Sequence, residues 1–143
     1  LTARPTEELT FTAKGEWIRG RNVSHSTWLP FMPADRYTLG AQWTRSWGST
    51  GRWQSRLSAE GISVAKQTRF DPEHELVSDM PAGYFLLGLQ GELRYTLDAR
   101  RSLRFLLSSE NTLNALYKEA SDRFRYYAHA PGRSVTLRTI LYF

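Results

Sequence analysis

Three histidines, His25, His74 and His129, are the side chains best suited to bind a metal, and each falls in a different long segment between strand candidates. A neutral imidazole ligates haem iron or a free metal ion. No two of the three stand at a ligand spacing such as His-x-x-x-His, and Asp71, Glu73 and Glu75 beside His74 add only oxygen donors. No metal site and no cofactor are assigned on this pattern. The aromatic residues Trp28, Phe31, Tyr126 and Tyr127 can stack on a flat ligand, with Arg123 and Arg125 meeting an anionic chelate. The plainer alternative is a loop cluster packing on itself. The ligand-binding candidates are therefore His25, Trp28, His74, Arg123, Arg125, Tyr126, Tyr127 and His129. Nucleophilic catalysis has no anchor: cysteine is absent, and pairs such as His25-Ser26 lack a nucleophile elbow. Carboxylates Glu60, Glu92 and Glu110 fall on one face of separate strand candidates, where Arg56, Arg94 and Arg104 are natural partners in cross-strand charge ladders. The chain is not read as an enzyme.

These residues must be positioned by strands, because the dominant periodicity is two and no convincing amphipathic helix is present. About six strands are expected. In the first, Leu9, Phe11, Ala13, Gly15 and Trp17 alternate with Thr10, Thr12, Lys14 and Glu16. The second runs from Arg36 to Ser46. The third runs from Trp53 to Lys66, with Ile62 and Val64 interrupting its polar face. The fourth carries Phe85, Leu87, Leu89, Leu93 and Tyr95, the fifth runs from Leu103 to Leu113, and the last is Val135 to Phe143. Trp47–Gly51 and Thr96–Arg100 read as short turns, whereas Arg21–Asp35, Gln67–Gly83 and Asn114–Arg133 are long connections. Three such loops are unusual in a compact soluble domain. A membrane barrel has short turns on one side and long loops on the other. Trp43, Trp47, Trp53, Tyr95, Tyr142 and Phe143 all gather at the level of the short turns, where a barrel carries an interfacial aromatic girdle.

Composition permits this reading without demanding it. The chain has 143 residues, 41% of them hydrophobic, and a net charge of +5. No apolar run approaches the ~18 residues of a spanning helix. Barrel strands need only about ten alternating residues each, half of them facing water, which is compatible with a mean hydropathy of −0.49. The basic residues are dispersed and no RNP, KH or zinc pattern appears, so nucleic acid is not an expected partner. Basic side chains near a bacterial outer surface would instead meet lipopolysaccharide phosphates.

The stretch Glu110-Asn-Thr-Leu-Asn-Ala-Leu-Tyr117, followed by Arg123-Phe-Arg-Tyr-Tyr127 and Ala130-Pro-Gly-Arg-Ser-Val-Thr-Leu137, resembles the C-terminal end of TonB-dependent outer-membrane receptors. The matching positions are Asn111, Asn114 and Tyr117, which follow an Asn-x-x-Asn-x-x-Tyr pattern, then Pro131, Gly132 and Arg133. Val135, Leu137, Leu141 and Phe143 resemble the terminal strand that barrel-assembly machinery reads in outer-membrane proteins. Leu29-Pro-Phe-Met-Pro-Ala-Asp-Arg36 looks like the start of a strand in the same receptors. The motif is read as structural: Pro131 and Gly132 re-enter the sheet from a loop, with Gly132 supplying φ > 0. Asn111 and Asn114 bond local backbone, and Tyr117 caps the rim.

The resemblance implies an all-β, antiparallel up-and-down meander, residues 1–143 forming the C-terminal strands of a larger transmembrane barrel in the bacterial outer membrane. It also implies nutrient uptake (an iron chelate, haem or a metal) and a set of partners. These are the plug and upstream strands of the same receptor, TonB through that plug, outer-membrane lipid and lipopolysaccharide, and the assembly machinery. The alternative from the residues alone is a small soluble lipocalin-like barrel binding an apolar ligand.

Overall fold

In the computed structural model, which describes residues 1–48, 50–73 and 80–143, alternating side chains lie on the two faces of one antiparallel sheet. Its strands are β1 (Thr2–Ala3), β2 (Leu9–Glu16), β5 (Arg36–Trp47), β6 (Trp53–Val64), β7 (Tyr84–Thr96), β8 (Ser102–Glu110) and β9 (Ser134–Tyr142), hydrogen-bonded in that order. A separate small hairpin pairs β3 (Arg21–Asn22) with β4 (Thr27–Trp28) inside the first long loop. The chain is thus an all-β meander of seven strands, one more than the alternation predicts. The extra strand, β1, is two residues long and too short to show a period; it lies along β2 with Thr2 opposite Thr12.

Three strands end earlier than their patterns suggest, each for a local reason. β2 stops at Glu16, and the Trp17 indole folds back across Gly15, where any Cβ would collide with it. β6 stops at Val64, and beyond it the Gln67 side chain turns inward against the first loop. β8 stops at Glu110 because Asn111 takes φ 45°, a left-handed conformation that cannot continue a strand.

Register preserves parity throughout: Phe11 faces Ala41, Leu39 faces Gly61, Leu57 faces Gly91, Leu93 faces Phe105 and Leu107 faces Leu137. Odd-numbered side chains therefore make one continuous apolar surface, and even-numbered ones a largely polar surface opposite it. Among the described residues no second layer covers the apolar side. Leu39 is 66% exposed, Leu57 55% and Leu137 71%. An enclosed lipocalin-like interior would bury this row, so the geometry does not favour that alternative.

Two aromatic belts bound the apolar surface. At the short-turn end Trp43 and Trp47 pack edge to face at 5.9 Å, Trp47 is in register with Trp53, and Trp53 packs on Tyr95 at 4.5 Å. At the long-loop end Trp17 packs on Tyr37 at 5.6 Å and donates its indole N–H to the Tyr37 hydroxyl, with Phe85 at the same level on β7. One expected member of the first belt is misplaced: Tyr142 is even-numbered and turns to the polar face, where its hydroxyl accepts from Arg104. From Phe85 to Tyr95 the strand advances roughly 33 Å at about 3.3 Å per residue. A barrel tilt of about 35–45° reduces that to about 25 Å, the height of an outer-membrane apolar band.

The buried apolar residues are few. Ala34, Val64, Met80 and Ala120 lie where the long loops fold over the end of the polar face. Val64, one of the two apolar interruptions in β6, is buried at the end of its strand, where the first long loop is tied on by the bond from the Ala65 N–H to the Asp35 carbonyl. Among the described residues no helix is long and apolar enough to cross a membrane, which says nothing of strands.

Candidate functional site

The polar face carries a trough of about 360 Å³ across its middle, lined by Thr10, Gln42, Ser58, Glu60, Gln90 and Glu110 among others. Nearer the short turns the sheet brings two arginines, one from each flanking strand, onto one carboxylate. Arg56 on β6 is directly opposite Glu92 on β7, 3.6 Å from it, and Arg104 on β8 donates to the same carboxylate at 2.5 Å. Glu92 is buried at 8% exposure. Such pairing is what a buried carboxylate requires, since desolvation without a partner costs several kcal/mol. Glu60 and Glu110 remain exposed.

At the other end the three long loops are tied to one another and to the strands. Asp35 accepts two hydrogen bonds from Arg19, at 2.7 and 3.1 Å, and further bonds from Arg69, at 2.8 and 3.4 Å. The Arg19 bonds, assisted by Arg69, hold the Asp35 carboxyl below the usual carboxylate range against the opposing effect of burial. Gln67, 1% exposed, donates to the carbonyls of Met32 and Pro33 and accepts from the Arg69 N–H. The third loop is anchored by Glu119, which accepts from Arg36 at 2.8 Å and from the Tyr84 hydroxyl at 2.5 Å. None of these anchors carries a local sequence signal: Arg36 and Glu119 are 83 residues apart, and only the fold reveals that they meet.

The loop candidates divide into two groups. A single 3₁₀ turn, η1 (Arg123–Tyr126), begins where the Asp122 carboxylate accepts from the Phe124 N–H. It places the guanidiniums of Arg123 and Arg125 5.4 and 4.9 Å from the centre of the Phe31 ring, with Tyr126 edge-on to that ring at 6.2 Å. Phe31 itself sits at φ 56°, a costly conformation for a large side chain. Arg125 is buried, whereas Tyr127 is 81% exposed and touches only the edge of the cluster through Tyr126. Trp28 belongs elsewhere: it lies under Arg21 in the small hairpin. There it shares a depression of about 410 Å³ with His25, Asn22, Asp71 and Glu73. His129 is exposed beyond η1, and His74 lies outside the described residues. The described residues hold no group of three or more His, Cys, Asp or Glu placed to hold a metal ion.

The Asn-x-x-Asn-x-x-Tyr stretch builds the corner between β8 and the third loop. Asn111 closes a ring with Ala115, donating to its carbonyl at 2.9 Å and accepting from its N–H at 2.8 Å. Asn114, at φ 54°, reaches across 19 residues to accept the Arg133 N–H at 3.0 Å. Gly132 does not use the positive φ expected of it; the described glycines with positive φ are Gly48 and Gly51. Its requirement is proximity, because a Cβ there would stand 2.8 Å from the Asn114 Oδ1. Tyr117 stacks on Tyr84 at 4.4 Å. Pro131 accepts a long bond from Asn111 at 3.4 Å. Val135, Leu137 and Leu141 are exposed on the apolar face of β9, and Phe143 is exposed beyond it.

The sequence matches no protein-family model and no curated protein. Among solved structures, the fold is similar to that of the copper transporter OprC, with a TM-score of 0.73 and 20% sequence identity over 99% of this chain. The chain spans 22% of the length of that structure. The likeness is one of fold.

Proposed function

We propose that this chain forms wall strands of an outer-membrane β-barrel of the TonB-dependent receptor type, which imports a scarce nutrient such as a metal ion, an iron chelate or haem. One observation carries the reading: a parity-locked, exposed apolar surface about 25 Å tall between two aromatic belts, backed by a polar surface. Similarity of fold to a copper transporter supports transport as the activity and a metal species as the cargo. In this reading β1 to β9 contribute lumen charges and three tied external loops. The rest of the receptor supplies the remaining wall, the plug and, through it, the contact with TonB. Lipid and lipopolysaccharide surround the apolar face, the assembly machinery inserts the chain through β9, and no step of catalysis is assigned.

The clusters at Phe31 and at His25 are the proposed cargo contacts, with Arg123, Arg125, Tyr126 and Tyr127 at the first and Trp28 at the second. The test is fractionation followed by uptake. The longer protein containing these strands is expected in the outer-membrane fraction with heat-modifiable migration. Its loss should reduce uptake of one metal species among copper, free iron, ferric chelates and haem. Recovery in a soluble fraction, or unchanged uptake of all four, contradicts the proposal.

A further inference from the structure

The arginine cluster at the short-turn end holds more positive charge than its partners neutralise. A cleft of about 310 Å³ on the polar face is lined by Arg56, Arg94, Arg104, Glu92, Gln54 and Tyr142. Three guanidiniums face one carboxylate, which leaves two positive charges uncompensated. Register makes this worse, because Arg94 on β7 is directly opposite Arg104 on β8, and like charges directly opposite destabilise a sheet. The carboxylate is already engaged by Arg56 and Arg104. Arg94 is exposed and makes only one long bond, 3.5 Å, to the Ser102 hydroxyl. The Nε atoms of Arg56 and Arg104 are buried with no hydrogen-bond partner. Guanidinium forks of this kind match the spacing of oxyanion oxygens.

We infer that this cleft binds a soluble divalent oxyanion of the phosphate or sulfate class. A dianion matches the excess of two charges, bridges Arg94 to Arg104 and removes their repulsion. Gln54 and Tyr142 supply neutral donors at the rim. The site opens on the polar face, opposite the apolar row, so a free anion reaches it and a lipid headgroup does not. The cleft draws on three adjoining strands and does not depend on the identity of the transported cargo.

The probe is inorganic phosphate, titrated calorimetrically into the purified protein in neutral detergent at low ionic strength. Saturable one-to-one binding is expected, with sulfate competing and with acetate and chloride at least about tenfold weaker at matched ionic strength. Arg94→Gln spares the Glu92 bridges, so the strands are expected to fold, and it should weaken phosphate about ten- to hundredfold. If that variant does not fold, the wild-type competition series decides alone. Absence of saturable binding, acetate binding as well as phosphate, or undiminished binding by folded Arg94→Gln would overturn the inference.

Discussion

Replacing Leu89 by arginine places a charge at the middle of the proposed apolar band. Leu89 is near the middle of the stretch from Phe85 to Tyr95 on β7, faces Ala59 and Ser109 in register, and is 41% exposed on the uncovered side. If that side meets hydrocarbon, Leu89→Arg costs about 2–4 kcal/mol, the penalty for arginine at a bilayer midplane. At 1.4 kcal/mol per decade, a cost of about 3 kcal/mol lowers the folding equilibrium roughly a hundredfold. The neighbouring Gln90→Arg puts the same charge one residue along and on the other face. There it enters the polar trough with the carboxylates of Glu60 and Glu110 and costs about 0–0.5 kcal/mol, the usual effect of a surface change. Tyr95→Arg moves the charge to the belt. The membrane term falls there to about 0–1 kcal/mol, and loss of the Trp53 contact adds roughly 0.5–1.5 kcal/mol. The assay is denaturant unfolding in lipid vesicles followed by tryptophan fluorescence. Equal costs for Leu89→Arg and Gln90→Arg, or a larger cost at Tyr95 than at Leu89, would mean that the odd-numbered face does not meet hydrocarbon.

The Asp35 clasp gives an acid-sensitive loop. Its folded pKa is depressed, chiefly by Arg19, so its stabilisation is complete above an unfolded value of about 3.9. It is lost as pH falls through the lowered value. Exchange of the Ala65 N–H, which donates to the Asp35 carbonyl, should therefore quicken below about pH 4 relative to a base-catalysed reference. Asp35→Asn should quicken it at neutral pH, costing about 1–2 kcal/mol because Arg19 is half exposed. Loosening between pH 5 and 7, or an unaffected Asn variant, counts against the clasp. Gly132→Ala should destabilise by about 1–2 kcal/mol through contact with Asn114 Oδ1. In an Asn114→Ala background the same change should become neutral or stabilising by about 0.4–1 kcal/mol. A double-mutant cycle with no coupling would contradict the close approach.

Strand positions and the two faces were legible in the sequence because a period of two survives wherever one side of a sheet meets apolar surroundings and the other does not. Leu39, Leu57, Leu89 and Leu107 announce their common face before any register is known. The first short turn is readable from Gly48 and Gly51, which do adopt positive φ. The second aromatic belt is not, because Tyr37 and Phe85 lie on strands, and Trp17 just past one, that only register aligns. Nor was the loop crown: Asp35, Gln67, Tyr84 and Glu119 look like ordinary polar residues until long-range contacts bury or pair them. The Arg56–Glu92–Arg104 ladder is an intermediate case. Its residue types and face were readable, and its pairing needed the β6–β7–β8 alignment. The ligand candidates share residue type and loop position; the fold places Arg123, Arg125 and Tyr126 about Phe31, Trp28 with His25 in the depression, and His129 in neither.

In the proposed barrel, odd-numbered side chains of the sheet meet lipid and even-numbered ones meet water. The chain has no native cysteine, so nitroxide labels at single introduced cysteines report one site at a time. Labels at positions 87, 89 and 93 of the protein in lipid bilayers are expected to relax with dissolved oxygen and to ignore a water-soluble nickel chelate. Labels at 90 and 94 are expected to show the reverse. Odd-numbered sites screened from both reagents, as inside a sealed protein core, would contradict the account.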